Sequence, residues 1–576
     1  MNIIKLRKLL ILPSIATSYI IGQHIISQNV SILSLFFWLL SIVLAYLSGF
    51  LFKKNLPTIK EKKHQLKLTK GEKILLGFLV LLTILIRVIY MQRITFFHGD
   101  EYQTAYFSLN LKNYSKPLNW FGVYPPKVEW VSQFPILYFF FQSLFFKIFG
   151  IGPFIVRLSN LPYLILTYLF IILIAKEIGN IKTAIFTGII LTFFPPDLYI
   201  SSLGLHFISS TAFLSGFIFF FIKSLKSSRK IFYGLTGVFM GLCYHTYYSS
   251  YIAFPIFISL IFLIFLKRKF KLNHLKNFIF SLLLFTLVIA PLITSAISID
   301  NFFNQRNSQI SIFNGSWSPY ANQSNNIDNY LHIFKENLLI CLKSLYRNDI
   351  GGHGGYNFGK LALFNHVTLL VIIPSIAFQF FQLVSKRSIE STLLLLIVFS
   401  SFIGGMVLTI PPPAFHRFSI SFPYLALIIA IFLEKAYQKM SNKKIKFVAF
   451  FTIISVFVGF NITHFYKMLK RDTENQWLKE HLAIEELIRI RDEKEIFISA
   501  FSSYALEKIL SIRLQNNKNI VTGELANNLK FIQKNNAIII LHYPDVERKK
   551  MIKENFPESK TILKTQTHQI FKTSQK

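Results

Sequence analysis

The sequence predicts an α-helical polytopic membrane protein with about thirteen transmembrane helices and a small C-terminal extracytoplasmic α/β domain. Of the 576 residues, 52% are hydrophobic and 16% aromatic. Only 15% are charged, below the roughly 25% of a soluble domain. The 62 basic residues exceed the 27 acidic ones by 35 and lie in short clusters between long apolar runs. That distribution is typical of a membrane protein and argues against a nucleic-acid partner.

A helix needs about 20 apolar residues to cross the hydrocarbon of a bilayer. The sequence has thirteen apolar runs of about that length. They lie near 8–27, 31–52, 74–95, 158–175, 183–200, 206–222, 232–249, 250–266, 277–297, 362–384, 391–410, 418–434 and 445–464. One further run, 134–150, is shorter and contains Lys147. We therefore predict that the lipid bilayer surrounds most of the chain.

The basic clusters predict the orientation, because basic loops stay in the cytoplasm. The stretch 53–73 contains eight lysines, and further clusters lie at 223–230, 267–271, 386–387 and 435–446. All of them are cytoplasmic if 134–150 is a juxtamembrane or re-entrant helix rather than a span. The N-terminus is then cytoplasmic and the C-terminus extracytoplasmic, in a multi-pass protein of the plasma (inner) membrane. The alternative of an N-terminal signal peptide is less favoured, because a second apolar run follows at once.

Three domains follow from this pattern. Residues 1–72 form an accessory transmembrane hairpin and a basic cytoplasmic linker, and 73–464 form the main transmembrane domain. Residues 465–576 alternate charged helical stretches with β-branched runs such as EIFISAF and NAIIILHY, which predicts the extracytoplasmic α/β domain.

Asp100 and Glu101 are the strongest candidates for chemistry. They lie in FFHGDEYQTAYFSL, just beyond the outward end of helix 74–95, in a chain with only 27 acidic residues. Charged residues close to apolar helices are costly and tend to be functional. The alternative is a structural role, with Asp100 capping a helix that begins at Glu101.

Four basic side chains are expected at the same external surface. Arg87 lies in helix 74–95, Arg157 opens the next span, and the segment PPPAFHRF presents His416 and Arg417 after a rigid proline turn. Arginine pairs well with phosphate oxygens, so this grouping suits a reaction on a lipid-linked phosphate. Each of these residues can instead be an interfacial anchor.

Weaker candidates are the glycine-rich GGHGGYN, residues 351–357, and the histidines His206 and His245. A glycine-rich loop can bind anions, but no phosphate-binding strand–loop–helix motif surrounds this one. The chain has two cysteines, so a disulfide framework and a cysteine-based metal site are excluded. The residues indicate no cofactor and leave a divalent metal open.

The chain resembles the GT-C superfamily of integral-membrane glycosyltransferases, most closely the branch of the lipid A aminoarabinose transferases and the protein O-mannosyltransferases. The resemblance covers about residues 73–576. In chain order, the matching features are Asp100-Glu101 after the first core helix, an aromatic juxtamembrane run ending at Phe149-Gly150, a helix opened by Arg157, a run with Pro195-Pro196 near its outer end, the His416-Arg417 turn before a helix with Pro423, and the C-terminal α/β domain.

Members of that superfamily transfer a sugar from a polyprenyl-phosphate carrier to an acceptor outside the membrane. The resemblance therefore implies a polyprenyl-phosphate-sugar donor and a glycolipid, polysaccharide or protein acceptor. It also implies a substrate- or phosphate-binding role for Arg87, Arg157, His206, His416 and Arg417.

The chain departs from the family pattern at two positions. His206 occupies the place of a second family acid, after Pro195-Pro196, which bears on metal binding. The segment VEWVSQFPIL lacks the Lys or His that some members place before the proline. That difference leaves open which residue holds the phosphate.

The chemistry of the transfer needs few groups. A carrier phosphate leaves as a stable anion, so cations matter more than a general acid. One carboxylate within hydrogen-bond reach of the attacking hydroxyl serves as the base of an inverting displacement. Asp100 is the predicted base, and Glu101 is a supporting hydrogen-bonding group.

Two other functions remain open. A transporter or flippase of lipid-linked sugars is expected to show broken segments near mid-membrane in two related halves, and no such internal symmetry is evident. A polymerase or ligase of surface polysaccharide is expected to place its chemistry in the long external loop 298–361.

Overall fold

The computed structural model describes the greater part of the chain, in segments. It describes residues 32–51, 69–93, 99–110, 118–119, 122–123, 134–227, 229–266, 272–298, 307–313, 327–352, 356 and 358–473, and, in the C-terminal part, 484, 486–488, 495–499, 519–523, 525–526, 529, 532, 537–542, 546–564 and 568–573. Helices dominate as far as residue 473, and a five-stranded sheet follows.

The helices agree closely with the predicted spans. Twelve of the thirteen predicted runs coincide with helices, and the first, 8–27, lies outside the described residues. In chain order the helices are α1 Ile32–Leu51, α2 Lys70–Arg93, α3 Gly99–Asn110, α4 Leu137–Phe149, α5 Pro153–Leu158, α6 Leu161–Ile178, α7 Ile181–Thr192, α8 Pro195–Ser201, α9 Phe207–Ser227, α10 Lys230–Cys243, α11 Ala253–Leu266, α12 Leu272–Ser298, α13 Asn307–Ile310, α14 Ile327–Ser344, α15 His366–Lys386, α16 Ile389–Ser401, α17 Phe415–Phe418, α18 Phe422–Lys439 and α19 Lys443–Thr473.

Not every predicted span is a long straight helix. Among the described residues, nine helices are long and apolar enough to cross a bilayer, or ten if one bent pair counts as a single span. That pair is α7 and α8, which meet at 66° because Pro195 and Pro196 cannot continue the helix before them. Helix α10 has only 14 residues, and α4 has 13, too few to cross a hydrocarbon core of about 30 Å.

The helical bundle has two chemically different ends. Residues Pro153–Ile178 form a 26-residue helical stretch, about 40 Å long at the usual rise, with Arg157 near its start and Glu177 at its end. Glu177 pairs with Lys223 at 2.5 Å. Lys223 begins the basic cluster 223–230, which therefore lies at this end. The Asn180 amide, just after α6, donates to Glu434 at 2.7 Å, and this contact brings the start of the cluster 435–446 to the same end. Arg157 and the candidate site lie at the other end.

The C-terminal residues form the predicted α/β unit. Its strands are β3 Glu495–Ser499, β4 Asn519–Gly523, β5 Ile538–His542, β6 Lys560–Lys564 and β7 His568–Lys572, after a short hairpin β1 Leu118–Asn119 and β2 Gly122–Val123. The sheet order is β4-β3-β5-β7-β6, with β3 parallel to β4 and β5, and with β7 antiparallel to β5 and β6. Buried apolar clusters cover both faces, which explains the continuous apolar runs within β3 and β5.

Candidate active site

The two neighbouring acids lie in the first turn of α3 and have different surroundings. Glu101 is fully buried, and Arg157 donates to it from Nε at 2.8 Å and from Nη2 at 2.9 Å. The backbone N–H of Gly204 donates to the same carboxylate at 2.6 Å. Asp100 is half-buried, and the hydroxyl of Tyr356 donates to its Oδ2 at 2.5 Å. Glu101 is therefore neutralised inside the protein, whereas Asp100 remains within reach of solvent.

Arg157 fastens the acid-bearing turn to the bundle. Its Nη1 donates to the Met91 carbonyl at 3.2 Å, so one guanidinium joins the end of α2 to the start of α3. The turn at Gly204 comes close enough to reach Glu101 because position 204 has no side chain. A Cβ there would lie 2.6 Å from the Val156 side chain and 2.9 Å from its carbonyl oxygen. These contacts give Arg157 a structural task.

Arg87 belongs to a second buried ion pair. It is fully buried and pairs with Asp197, the first residue after Pro195-Pro196. Its Nε also donates to the Ser201 hydroxyl at 2.9 Å, and its guanidinium lies 4.4 Å from the centre of the Tyr168 ring. Sequence reasoning did not single out Asp197. The signal was an acid directly after a double proline in an apolar run.

The proline turn holds a third buried arginine with different contacts. Arg417 is 5% exposed, and its Nη1 reaches the Ile410 carbonyl at 3.5 Å. Its buried Nε has no hydrogen-bond partner among the residues that the structure describes. Within the described part of the chain, no carboxylate forms an ion pair with Arg417. A buried cation with no internal counter-charge is costly unless a ligand supplies one.

A close backbone contact sets the position of this turn. Residues Phe402–Val407 form a π-helical turn after α16, a geometry often found at functional sites. A Cβ at Gly405 would lie 2.9 Å from the Arg417 carbonyl oxygen, whereas a Cβ at Gly404 would meet nothing within 4 Å. The absence of a side chain at Gly405 therefore allows the Arg417 backbone to approach.

The glycine-rich segment, one of the weaker predictions, reaches the acid pair through Tyr356. This tyrosine is buried, and its ring centre lies 4.4 Å from that of His416. Tyr356 thus contacts both Asp100 and His416, and Arg417 follows His416 in the chain. Burial, and secondly the negative charge of Asp100, hold the pKa of Tyr356 well above its usual value, so the phenol stays protonated and donates.

His206 lies on the other side of an aromatic wall. Its ring centre is 4.9 Å from Phe207 and 5.0 Å from Tyr247, and both of these rings also contact His416. Phe134 packs on it at 4.7 Å. The two histidines therefore flank the same aromatic pair. His245 is not part of this group of rings around His416. Its Nε2 contacts the Val288 carbonyl in the bundle core.

The described residues offer no set of three His, Cys, Asp or Glu side chains that converge as metal ligands. Cys243 and Cys341 are both buried and separate.

The comparisons with known proteins give a family match for part of the chain and several similar structures. A model of the family described as dolichyl-phosphate-mannose-protein mannosyltransferase matches residues 133–294. No curated protein matches the sequence. The solved structure of ArnT from Cupriavidus metallidurans bound to undecaprenyl phosphate has a TM-score of 0.55 at 10% identity, over 88% of this chain and 98% of that one.

Two further solved structures are similar. ArnT from the same organism in the apo state has a TM-score of 0.52 at 9% identity, over 87% of this chain and 98% of that one. The apo oligosaccharyltransferase of Archaeoglobus fulgidus has a TM-score of 0.49 at 12% identity, over 82% of this chain and 69% of that one.

The fold is thus similar to that of ArnT, a polytopic fold of the kind that the resemblance implied. The family model matches residues 133–294, so the likeness to the mannosyltransferase family holds for that segment.

Proposed function

We propose that the protein transfers a sugar from a polyprenyl-phosphate-linked donor to an acceptor on the outer side of the membrane, by a single inverting displacement. The observation that carries this proposal is the series of contacts from Asp100 through Tyr356 to His416, with Arg417 next in the chain. It brings one half-buried carboxylate and one buried cation without an ion pair among the described residues to the same end of the bundle.

Asp100 is the proposed base. It takes the proton of the acceptor hydroxyl while the hydroxyl oxygen bonds to the anomeric carbon. The bond from that carbon to the phosphate oxygen breaks, and its electron pair leaves with the carrier phosphate. Because one carboxylate acts alone, this differs from the paired carboxylates of glycoside hydrolases.

Arg417 is the proposed partner of the carrier phosphate, with His416 beside it. Its planar guanidinium can meet two phosphate oxygens at once. ArnT of Cupriavidus metallidurans was solved with undecaprenyl phosphate, which supports a lipid-phosphate ligand for a chain of the same fold. His206 is the proposed contact for the sugar or carrier on the far side of the Phe207–Tyr247 wall.

The other two arginines serve the site indirectly in this proposal. Arg157 and Arg87 each already pair with a buried carboxylate, so we assign them to positioning rather than to the phosphate. Glu101 positions Asp100 by fixing the first turn of α3 to Arg157. The acceptor is a glycolipid, a polysaccharide or a protein, and mass spectrometry of these envelope components in a deletion strain identifies its class.

The decisive test is sugar transfer from a purified polyprenyl-phosphate donor by Asp100→Asn. The substitution keeps size and hydrogen bonding but removes the base. General-base catalysis is worth about 10²–10⁴-fold, so turnover should fall by that order with donor binding and melting temperature unchanged. A folded variant with near-normal turnover would remove Asp100 from the mechanism and favour a transporter or a ligase that acts elsewhere.

The proposed orientation has its own test. In a background without Cys243 and Cys341, cysteines at the exposed positions Arg347 and Glu558 should react with an impermeant thiol reagent in intact cells. A cysteine at exposed Ser441, in the basic end of the bundle, should be protected until the cells are opened. Labelling at 441 but not at 347 reverses the orientation and excludes an external active site.

A further inference from the structure

Tyr356 makes a direct side-chain hydrogen bond to the proposed base. Its hydroxyl donates to Asp100 at 2.5 Å, and its ring is buried. The ring centre lies 4.4 Å from His416 and 5.5 Å from Phe207. The phenol is thus clamped by rings and has its polar end on the carboxylate, a geometry with little freedom left.

The glycine-rich segment explains how Tyr356 reaches this position. Gly351 has φ = 62°, a left-handed conformation that glycine adopts at little cost. A Cβ at Gly352 would lie 2.1 Å from the Tyr356 carbonyl oxygen and 2.6 Å from the Phe415 ring. Next to them, Phe358 stacks on Phe415 at 5.1 Å. The segment is therefore folded so that the tyrosine backbone lies tightly against the proline turn.

We propose that Tyr356 is a positioning residue that orients Asp100 and holds it as the charged base. The inference rests on the proposed function, in which Asp100 takes the acceptor proton as the new bond to the anomeric carbon forms and the bond to the phosphate breaks. The external loop 298–361 thereby contributes to the transfer through one hydroxyl.

Several other charged or titratable groups act on this contact. Glu101 adds negative charge nearby, but its buried pair with Arg157 balances it. Tyr247 and His416 face the Tyr356 ring from other elements. Because the phenol keeps its proton, it always donates, and a donor favours the charged form of a carboxylate. Removing the hydroxyl should therefore raise the pKa of Asp100.

The test is the pH profile of Tyr356→Phe, which keeps the ring and removes only the hydroxyl. A hydrogen bond to a charged group is strong enough to shift a pKa by about one unit. The acidic limb of kcat against pH should therefore move up by about one unit, because Asp100 becomes protonated at a higher pH. At a fixed pH on that limb, kcat should fall by up to ten-fold, because a shift of one unit lowers the charged fraction of Asp100 by that factor, while the KM for the donor should stay the same.

Tyr424→Phe is the matched control, because Tyr424 is equally buried and its hydroxyl contacts Ser215 at 3.2 Å in the bundle core. Its pH profile should not move. Gly352→Ala keeps the hydroxyl but displaces the Tyr356 backbone, and it should shift the limb in the same direction as Tyr356→Phe.

The outcomes separate the two proposals. If the wild type transfers sugar, Asp100→Asn does not, and neither Tyr356→Phe nor Gly352→Ala moves the acidic limb, then the role of Tyr356 is wrong and the proposed function stands. If Asp100→Asn remains active, the proposed function itself fails.

Discussion

Two regions of the molecule hold buried arginines, and they hold them differently. Between α2 and α8, Arg87 has a carboxylate, a hydroxyl and an aromatic ring as neighbours. At the proline turn, Arg417 is almost as deeply buried but has one carbonyl at 3.5 Å and no ion pair within the described residues. A buried charge that is already paired belongs to the fold. One that has no internal partner is better explained by a ligand of opposite charge.

The difference separates arginines that the sequence groups together as candidate phosphate partners. Arg157 and Arg417 lie at the same end of the bundle as the acid pair, but position in the sequence does not reveal which side chain neutralises each charge. Asp197 neutralises Arg87, and Glu101 neutralises Arg157.

The largest expected effect comes from breaking a paired arginine. Asp197→Asn leaves Arg87 charged and buried, which typically costs about 3–5 kcal/mol of folding free energy. Melting of the detergent-solubilised protein should show this loss. The double variant Arg87→Met with Asp197→Leu should recover most of it, because no charge is then left unpaired. A single variant as stable as the wild type would mean that the pair does not hold α2 to α8.

A smaller effect, on function alone, is expected at Arg417. Arg417→Met should melt like the wild type, since no carboxylate of the described residues loses its partner. The KM for the lipid-linked donor should rise about ten- to a hundred-fold, because one or two charge-assisted hydrogen bonds to the donor are lost. Arg417→Lys should recover part of this, because lysine lacks the planar fork. Loss of stability with unchanged donor KM would make Arg417 an anchor, like Arg87.

The smallest effect should come from shifting Arg417 without removing it. Gly405→Ala places a Cβ 2.9 Å from the Arg417 carbonyl oxygen, so the turn must move by a few tenths of an ångström. We expect a few-fold higher donor KM and a stability loss of about 1–3 kcal/mol. Gly404→Ala, next along the chain and open to 4 Å, is the control and should leave donor KM unchanged. Equal behaviour of the two variants would contradict the proposed contact.

Much of the fold could be predicted from the sequence. Apolar runs located the described spans, because a helix in hydrocarbon must satisfy its own backbone and therefore needs a long apolar stretch. The break at Pro195-Pro196 was visible as a double proline, but its 66° angle was not. The β-branched runs of the tail predicted strands. One of these runs, KTILKTQTHQIF, contains two strands, β6 and β7.

The candidate site was predicted only in part. The sequence by itself determined that this is a multi-pass membrane protein, and it located an acid pair beside an apolar helix and candidate basic residues, because composition and spacing are local properties of the chain. Which carboxylate neutralises which arginine was decided by tertiary structure alone, since Arg87 and Asp197 are 110 positions apart. The same holds for Tyr356, 256 positions from Asp100, in a glycine-rich segment whose use depends on the contacts of Gly352. Pairing of charges is a matter of distance in space, and only the packing of α2, α3, α5 and the proline turn sets those distances.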